Sequence, residues 1–277
     1  MISVRLIIIS AFLSIAAVIN NGCHTHLIQP LTSAPLPHSY HLEIISRIPH
    51  NNQIFTQGLV IHNRMLYESG GLYRKSTLRR YSLDHHTLSP QTIHNLADHY
   101  FAEDITFYKG SLIQLTWKEM TALRYDLNLN PIGMTSYHGI GWGICTSEQG
   151  LFTSDGSANL TLRTPSDFTP KKTLFVKEHN LPISNLNALT LRKHPKDNIE
   201  YIYANVWFEN DIIEINSLTG NVTARIDAST LPAENPNAQT DPNNVLNGIA
   251  YDFQTDTFWI TGKRWNWLYN IRLKEKP

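Results

Sequence analysis

The chain has 277 residues, and its 23 Lys+Arg are matched by 23 Asp+Glu. Only 17% of residues are charged, so no basic stripe is available to displace counterions from nucleic acid, and no acidic tail is held open by self-repulsion. The 42% of apolar residues suffices for a packed core, and two cysteines, Cys23 and Cys145, exclude a disulfide scaffold.

Residues 6–19 are apolar apart from Ser10 and Ser14 and follow Arg5. These 14 residues are shorter than the roughly 20 that span a bilayer, and Asn20-Asn21-Gly22-Cys23 has the small and polar character of a cleavage site. Residues 1–22 therefore read as a signal peptide, with the periplasm or the extracellular space as the destination. Gly22-Cys23 also has the form of a lipoprotein junction, although Asn20 departs from it, so lipidation of Cys23 and free secretion both stay open. With Cys23 lipidated, Cys145 is a lone thiol, expected to be buried rather than reactive. Residues 23–38, with Pro30, Pro35 and Pro37 and no periodicity, read as a tether to a single domain over 39–277.

Beyond the tether come short alternating runs separated by turn residues, without sustained helical periodicity, which predicts an all-β body. A repeat runs through it. Gln57-Gly58-Leu59, Glu103-Asp104-Ile105, Trp142-Gly143-Ile144, Asn187-Ala188-Leu189 and Asn247-Gly248-Ile249 stand 46, 39, 45 and 60 residues apart. Each opens a strand; second strands are expected at 65–69, 111–117, 151–155, 201–207 and 257–263, and third strands at 78–83, 122–127, 159–163, 211–216 and 267–273. Five such units predict a five-bladed β-propeller whose first strands line a central channel. The last unit is one strand short, and the alternating segment 40–48 is expected to supply it and close the ring. A long exposed connection is expected over 191–200.

Equivalent positions of a repeat converge in space, so Gln57, Glu103, Trp142, Asn187 and Asn247 should meet at one mouth of the channel. The far ends of the second strands return there, bringing Trp117, Trp207 and Lys263. One acid, one amine, several amides and several indoles make a small-molecule pocket. Each residue also has a plainer explanation: Trp117 and Trp207 in sheet packing, Glu103 in a salt bridge between sheets, Lys263 as a surface charge. Asn247, Asp155 and Asp252 are read as structural, satisfying turn backbone groups. No zinc-protease helix, CxxC pair, phosphate loop or serine-hydrolase elbow is present, and the Cys23-His24-Thr25-His26 cluster on the tether is read as incidental.

Phe55-Thr56-Gln57-Gly58-Leu59, Glu68-Ser69-Gly70-Gly71-Leu72-Tyr73, Gln114-Leu115-Thr116-Trp117-Lys118, Gly141-Trp142-Gly143, Ser154-Asp155-Gly156-Ser157, Ala204-Asn205-Val206-Trp207, Leu246-Asn247-Gly248-Ile249-Ala250-Tyr251-Asp252 and Thr261-Gly262-Lys263 resemble, in order and spacing, the plant and bacterial glutamine cyclotransferase family. The resemblance implies a five-bladed propeller that converts the N-terminal glutamine of a peptide or protein into pyroglutamate and ammonia without a catalytic metal. No cofactor is called for, and a structural calcium in the channel is not predicted. It further implies Glu103 as proton shuttle and Lys263 as hydrogen-bond donor to the amide oxygen. Gln57 and Asn187 would orient the substrate, and Phe55, Phe101, Trp117, Trp142 and Trp207 would form the walls. The partners implied are peptide N-termini bearing glutamine, with a monomeric protein, no nucleic acid, and membrane contact only through a lipid on Cys23.

The chain also departs from the family. Phe101-Ala102-Glu103-Asp104 stands where the family has Phe-Gly-Glu-Gly, and Leu186-Asn187-Ala188-Leu189 where it has Leu-Asn-Glu-Leu. Asp104 either points away from the cavity, as strand alternation predicts, or shares it with Glu103 and raises their coupled pKa values. Loss of the acid at Ala188 weakens recognition of the substrate α-amine. A non-catalytic propeller that binds peptide N-termini or another small ligand is the competing reading. Joint retention of Gln57, Glu103, Asn187, Trp207 and Lys263 favours the enzyme.

Overall fold

The computed structural model describes residues 37–84 and 87–275. The signal segment 1–22, Cys23 and nearly all of the tether 23–38 lie outside these residues. The described residues form one compact unit.

The described chain is almost wholly strand. It opens with β1 (His38–Pro49), followed by β2 (Thr56–His62), β3 (Met65–Gly70), β4 (Thr77–Ser82) and β5 (Pro90–Asn95). Next come β6 (Ala102–Tyr108), β7 (Ser111–Thr116), β8 (Thr121–Tyr125) and β9 (Pro131–Ser136), then β10 (Ile144–Ser147), β11 (Gly150–Ser154), β12 (Asn159–Arg163) and β13 (Pro170–Phe175). A small hairpin, β14 (Lys177–Glu178) and β15 (Leu181–Pro182), precedes β16 (Leu186–Lys193), β17 (Glu200–Val206), β18 (Asp211–Asn216) and β19 (Val222–Asp227). A 3-10 turn at Leu231–Glu234 and a single helix, α1 (Pro236–Thr240), lead into β20 (Leu246–Asp252), β21 (Thr257–Gly262) and β22 (Trp267–Glu275).

β2–β5, β6–β9 and β10–β13 are three antiparallel sheets of four strands in sequence order. The remaining large sheet has eight, in the order β16-β17-β18-β19-β1-β22-β21-β20. It is two four-stranded antiparallel runs joined at a parallel seam, His38 to His41 of β1 against Ala224 to Asp227 of β19. The N-terminal strand thus completes the last run by pairing with β22, from Tyr40↔Glu275 to Pro49↔Trp267.

The first strands β2, β6, β10, β16 and β20 touch one another in a closed cycle, so every unit contributes to one central layer. Apolar side chains are sorted accordingly, into clusters between neighbouring units. Leu59 and Leu66 pack on Ala250 and Trp259, Tyr67 and Leu78 on Ile105 and Leu112, Ile113 and Leu115 on Ile144 and Leu151. Phe152 and Leu160 pack on Ile202 and Ile213, and Tyr203 and Ile212 on Phe258 and Ile260.

The outer strands β5, β9 and β13 each begin with proline, Pro90, Pro131 and Pro170, beside a register shift. Proline has no N–H to give a ladder, so it suits the first residue of a strand at a sheet edge and discourages further pairing there. β19 starts with Val222 and has no open edge, because β1 covers it. The long connection expected over 191–200 is shorter: residues 191–193 complete β16, paired with Glu200 to Ile202. The 60-residue step to Asn247 is accommodated instead by the turn, helix and loops between β19 and β20.

Candidate functional site

A cavity of about 230 Å³ opens at the starts of the first strands, lined by Phe55, Gln57, Leu72, Phe101, Glu103, Trp117, Trp142, Asn187, Trp207, Asn243 and Lys263. Every residue that the sequence marked for catalysis or substrate contact lies in this lining. Leu72 and Asn243 were not foreseen; Leu72 sits in the Gly71 turn after β3, and Asn243 in the loops before β20, which break the repeat. Asn247 does not reach the cavity: it is fully buried beneath it.

The strands turn these side chains inward through a repeated irregularity. The ladder between first and second strands is shifted at Thr56/Gly58, Ala102/Ile105, Leu186/Leu189 and Leu246/Ile249. These are the positions of Gln57, Glu103-Asp104, Asn187-Ala188 and Asn247-Gly248. A β-bulge frees a residue from strict alternation and re-aims its side chain. Neighbouring units hold the bulges in place. Ser69 Oγ donates to the Glu103 carbonyl, Ser154 Oγ donates to the Asn187 carbonyl at 2.9 Å, and Asn205 Oδ1 accepts from Gly248 N at 3.1 Å.

Backbone bonds set the walls: Trp117 N donates to Phe101 O at 2.9 Å, and Trp207 N to Asn185 O at 2.8 Å. Phe101 and Trp117 stand 5.4 Å apart between centroids, and Trp142 meets Trp207 edge-on at 5.3 Å. Lys263 Nζ lies 4.9 Å from the Phe55 centroid and 5.9 Å from that of Trp207, so aromatic faces surround the ammonium.

Glu103 is 4% exposed and Lys263 5%, yet among the described residues no side-chain hydrogen bond or ion-pair contact reaches the carboxyl group of one or the amine of the other. Burial pushes the Glu103 pKa well up, Lys263 pulls it down, and Asp104 and Glu119 add to the rise. Burial also brings Lys263 down to about 8, against the opposing pull of Glu103. Burial thus moves both groups toward their neutral forms, the acid upward and the amine downward. Among the described residues, twelve buried side-chain polar atoms have no protein partner, and two of them, Asn187 Oδ1 and Trp207 Nε1, belong to residues of the lining. Buried polar atoms are normally satisfied, so these two are open to a polar group of a ligand in the cavity.

Asp104 points away from the cavity, as strand alternation predicts. Its carboxylate lies below the cavity and accepts from the backbone N–H of Ile105 (2.8 Å), Ile144 (2.9 Å) and Leu189 (2.8 Å), so one side chain ties three first strands together. Gly58 makes room for it: a Cβ there would sit 1.9 Å from Asp104 Oδ1. The side chain is outside the cavity, but its charge still raises the Glu103 pKa. Cys145 is buried, as expected, and burial raises its pKa well above the ordinary value.

A larger cavity of about 610 Å³ lies at the opposite ends of the same strands, among Ile61, Phe107, Thr146, Leu191 and Tyr251. Its charged members are engaged elsewhere, Lys193 with Glu148 at 2.6 Å and Asp256 with Arg192 at 2.7 Å. The smaller cavity, with an unpaired acid and amine, is the better candidate for chemistry.

The family model for glutamine cyclotransferase matches residues 15–273. A glutaminyl-peptide cyclotransferase of Arabidopsis thaliana is 32% identical over 237 residues, covering 84% of this chain and 72% of the plant protein. The crystal structure of Myxococcus xanthus glutaminyl cyclase superposes with a TM-score of 0.78 at 34% identity, covering 87% of this chain and 100% of the bacterial one. The chain belongs to the glutamine cyclotransferase family.

Proposed function

We propose that this protein is a glutaminyl-peptide cyclotransferase, which closes the N-terminal glutamine of a peptide to pyroglutamate and releases ammonia on a five-bladed propeller. The observation that carries the reading is a small aromatic cavity holding an acid and an amine, both buried and neither paired. In support of the propeller, the sheets divide into four-stranded runs whose first strands form a closed cycle and whose cores lie between neighbours.

The α-amine of the substrate attacks the Cδ atom of its own side chain, forming the ring C–N bond and moving the C=O electrons onto oxygen. Collapse of this intermediate breaks the bond to the carboxamide nitrogen, which leaves with an added proton as ammonia. Glu103 takes the proton that the amine must lose and returns one to the departing nitrogen, an exchange that the raised pKa of its buried carboxyl favours. Lys263 donates to the oxygen as charge develops on it. Asn187 Oδ1, unpartnered, accepts from the α-amine and aims its lone pair. The rings of Phe55, Phe101, Trp117, Trp142 and Trp207 hold the folded-back side chain in an attacking conformation and exclude water. This scheme assigns no step to a metal or cofactor. Export with cleavage near residue 22, and a monomeric state, belong to the same reading.

Ammonia release from a peptide with N-terminal glutamine, in EDTA, tests the proposal. Turnover is expected with glutamine and not with N-terminal asparagine, and Glu103→Gln should lower kcat by about 10²–10⁴-fold. A folded wild-type protein without turnover would leave peptide binding as the function of the cavity.

A further inference from the structure

Asn247 lies in β20, one layer below the cavity, with no exposed surface. Its side-chain nitrogen donates to the backbone carbonyls of Thr56 at 3.1 Å and Gln57 at 3.3 Å, and to Gln57 Oε1 at 3.0 Å. The nitrogen and oxygen ends of an amide have nearly the same outline, but a backbone carbonyl can only accept. The end of Asn247 that faces two such carbonyls is therefore the nitrogen. This fixes the neighbouring amide in turn. The Gln57 atom held against a donor must be its oxygen, so Gln57 is left with Nε2, which no described residue engages, as its polar group for the cavity it lines. Gly71 leaves space for this arrangement, since a Cβ there would come within 2.9 Å of Gln57 Cγ.

We infer that Asn247 is a positioning residue for the cyclisation, committing Gln57 to act as a hydrogen-bond donor to the carboxamide oxygen of the substrate. This rests on the cyclotransferase reading above. The chemistry selects the oxygen. A donor placed on the α-amine would occupy the lone pair that must attack, whereas the carboxamide oxygen gains negative charge as the ring closes. A donor fixed before the reaction begins strengthens its bond as that charge grows, with no reorganisation. Left to rotate, the Gln57 amide could present either end, and its oxygen would repel the developing charge.

The test is a double-mutant cycle on the full chain, with kcat and KM for ammonia release measured for wild type, Gln57→Met, Asn247→Ala and the double variant, and thermal unfolding run on each. Gln57→Met leaves Asn247 its two backbone acceptors and should fold normally. It is expected to lower kcat by about 10²-fold with little change in KM, as for loss of one oxyanion donor. Asn247→Ala should lower kcat by about 10-fold or more, and the double variant should match Gln57→Met within about twofold, because Asn247 has nothing left to position. Losses that multiply would overturn the inference, as would an undiminished kcat in Gln57→Met alone. If Asn247→Ala does not fold, Asn247→Ser, with a donor but a shorter reach, takes its place in the cycle. Absence of turnover in the wild type overturns the cyclotransferase reading and this inference with it; turnover with multiplicative losses overturns the inference only.

Discussion

Two couples of an acid and a base are buried among the described residues, and they are built in opposite ways. His50 and Glu68 are in contact, with His50 Nε2 2.8 Å from Glu68 Oε1 and Nδ1 2.9 Å from the Trp265 carbonyl. Both ring nitrogens face acceptors, so the ring carries both protons and is a cation. Thr56 Oγ1 and Tyr81 OH donate to the same carboxylate at 2.7 and 2.9 Å. Burial alone would push Glu68 up and His50 down, but their mutual charge and hydrogen bonds prevail, and the net shifts are downward for Glu68 and upward for His50. Glu103 and Lys263 are just as buried and have no such partners, so burial prevails and both shift toward their neutral forms. The first pair is saturated and closes the junction between the last unit and the first. The second is left incomplete for a substrate to complete, and it weakens the fold.

Mutation should separate the two most clearly in stability. Glu68→Ala removes the counter-charge and a hydrogen-bond acceptor from buried His50, whose ring must then give up its added proton, and is expected to cost about 3–5 kcal/mol, lowering Tm by about 10 °C in thermal unfolding. Glu103→Gln removes a buried charge that has no partner, so its Tm should equal or exceed that of the wild type although turnover is lost. A Tm for Glu68→Ala close to wild type would show that the His50–Glu68 contact does not hold the junction.

The pairs also respond differently to pH. The His50 pKa is raised, so its contribution is fully present below an unfolded value of about 6.5 and is lost as pH rises through the folded value. The Glu68 pKa is lowered, so its contribution is full above about 4.3 and is lost as pH falls through the folded value. Together they stabilise most between about pH 4.3 and 6.5. Glu103, with a raised pKa, costs stability progressively as pH climbs from about 4.3 through its folded value. Denaturant unfolding across pH should therefore show a shallower alkaline decline in Glu103→Gln than in wild type, and identical curves would contradict the assignment.

Much of this site was legible in the sequence because a repeat turns distant positions into neighbours: Gln57, Glu103, Trp142 and Asn187 share one phase of it. Pro90, Pro131 and Pro170 mark the outer strands just as plainly, once proline is read as an edge residue rather than only as a breaker. Other features depend on pairing between segments. The partners of Asn247 are 190 and 191 residues away, and nothing local separates a turn-satisfying asparagine from one that holds Gln57. Asn243 lies in the connection that the repeat does not cover. Asp104 points away from the cavity as alternation predicts, but the N–H groups that its carboxylate gathers belong to Ile105, Ile144 and Leu189 on three different strands, which no local pattern announces.

Catalysis gives a finer contrast. Lys263, brought down to about 8, should set an alkaline limb in kcat/KM that Lys263→Met abolishes. The same substitution removes the charge that pulls the Glu103 pKa down, so the acid limb should move to higher pH. An acid limb that stays in place would show that the two groups do not sense each other across the cavity.

Asp104 supplies the smallest effect and the sharpest one for separating structure from charge. The three backbone donors it gathers would be served less well by an amide, since one end of an asparagine cannot accept, and Asp104→Asn should lower Tm through the orphaned N–H groups. Its charge acts on Glu103 in the opposite sense to that of Lys263 and more weakly. Removing it should move the acid limb of kcat/KM to lower pH, by less than Lys263→Met moves it upward. Asp104→Gly restores the residue type that the resemblance leads one to expect and should shift the limb by the same amount, because both variants remove the same charge. Equal limbs with unequal Tm values would assign Asp104 an electrostatic effect independent of its role as a tie between strands. Limb shifts that instead scaled with loss of stability would mean that the backbone tie, and not the charge, sets the environment of Glu103.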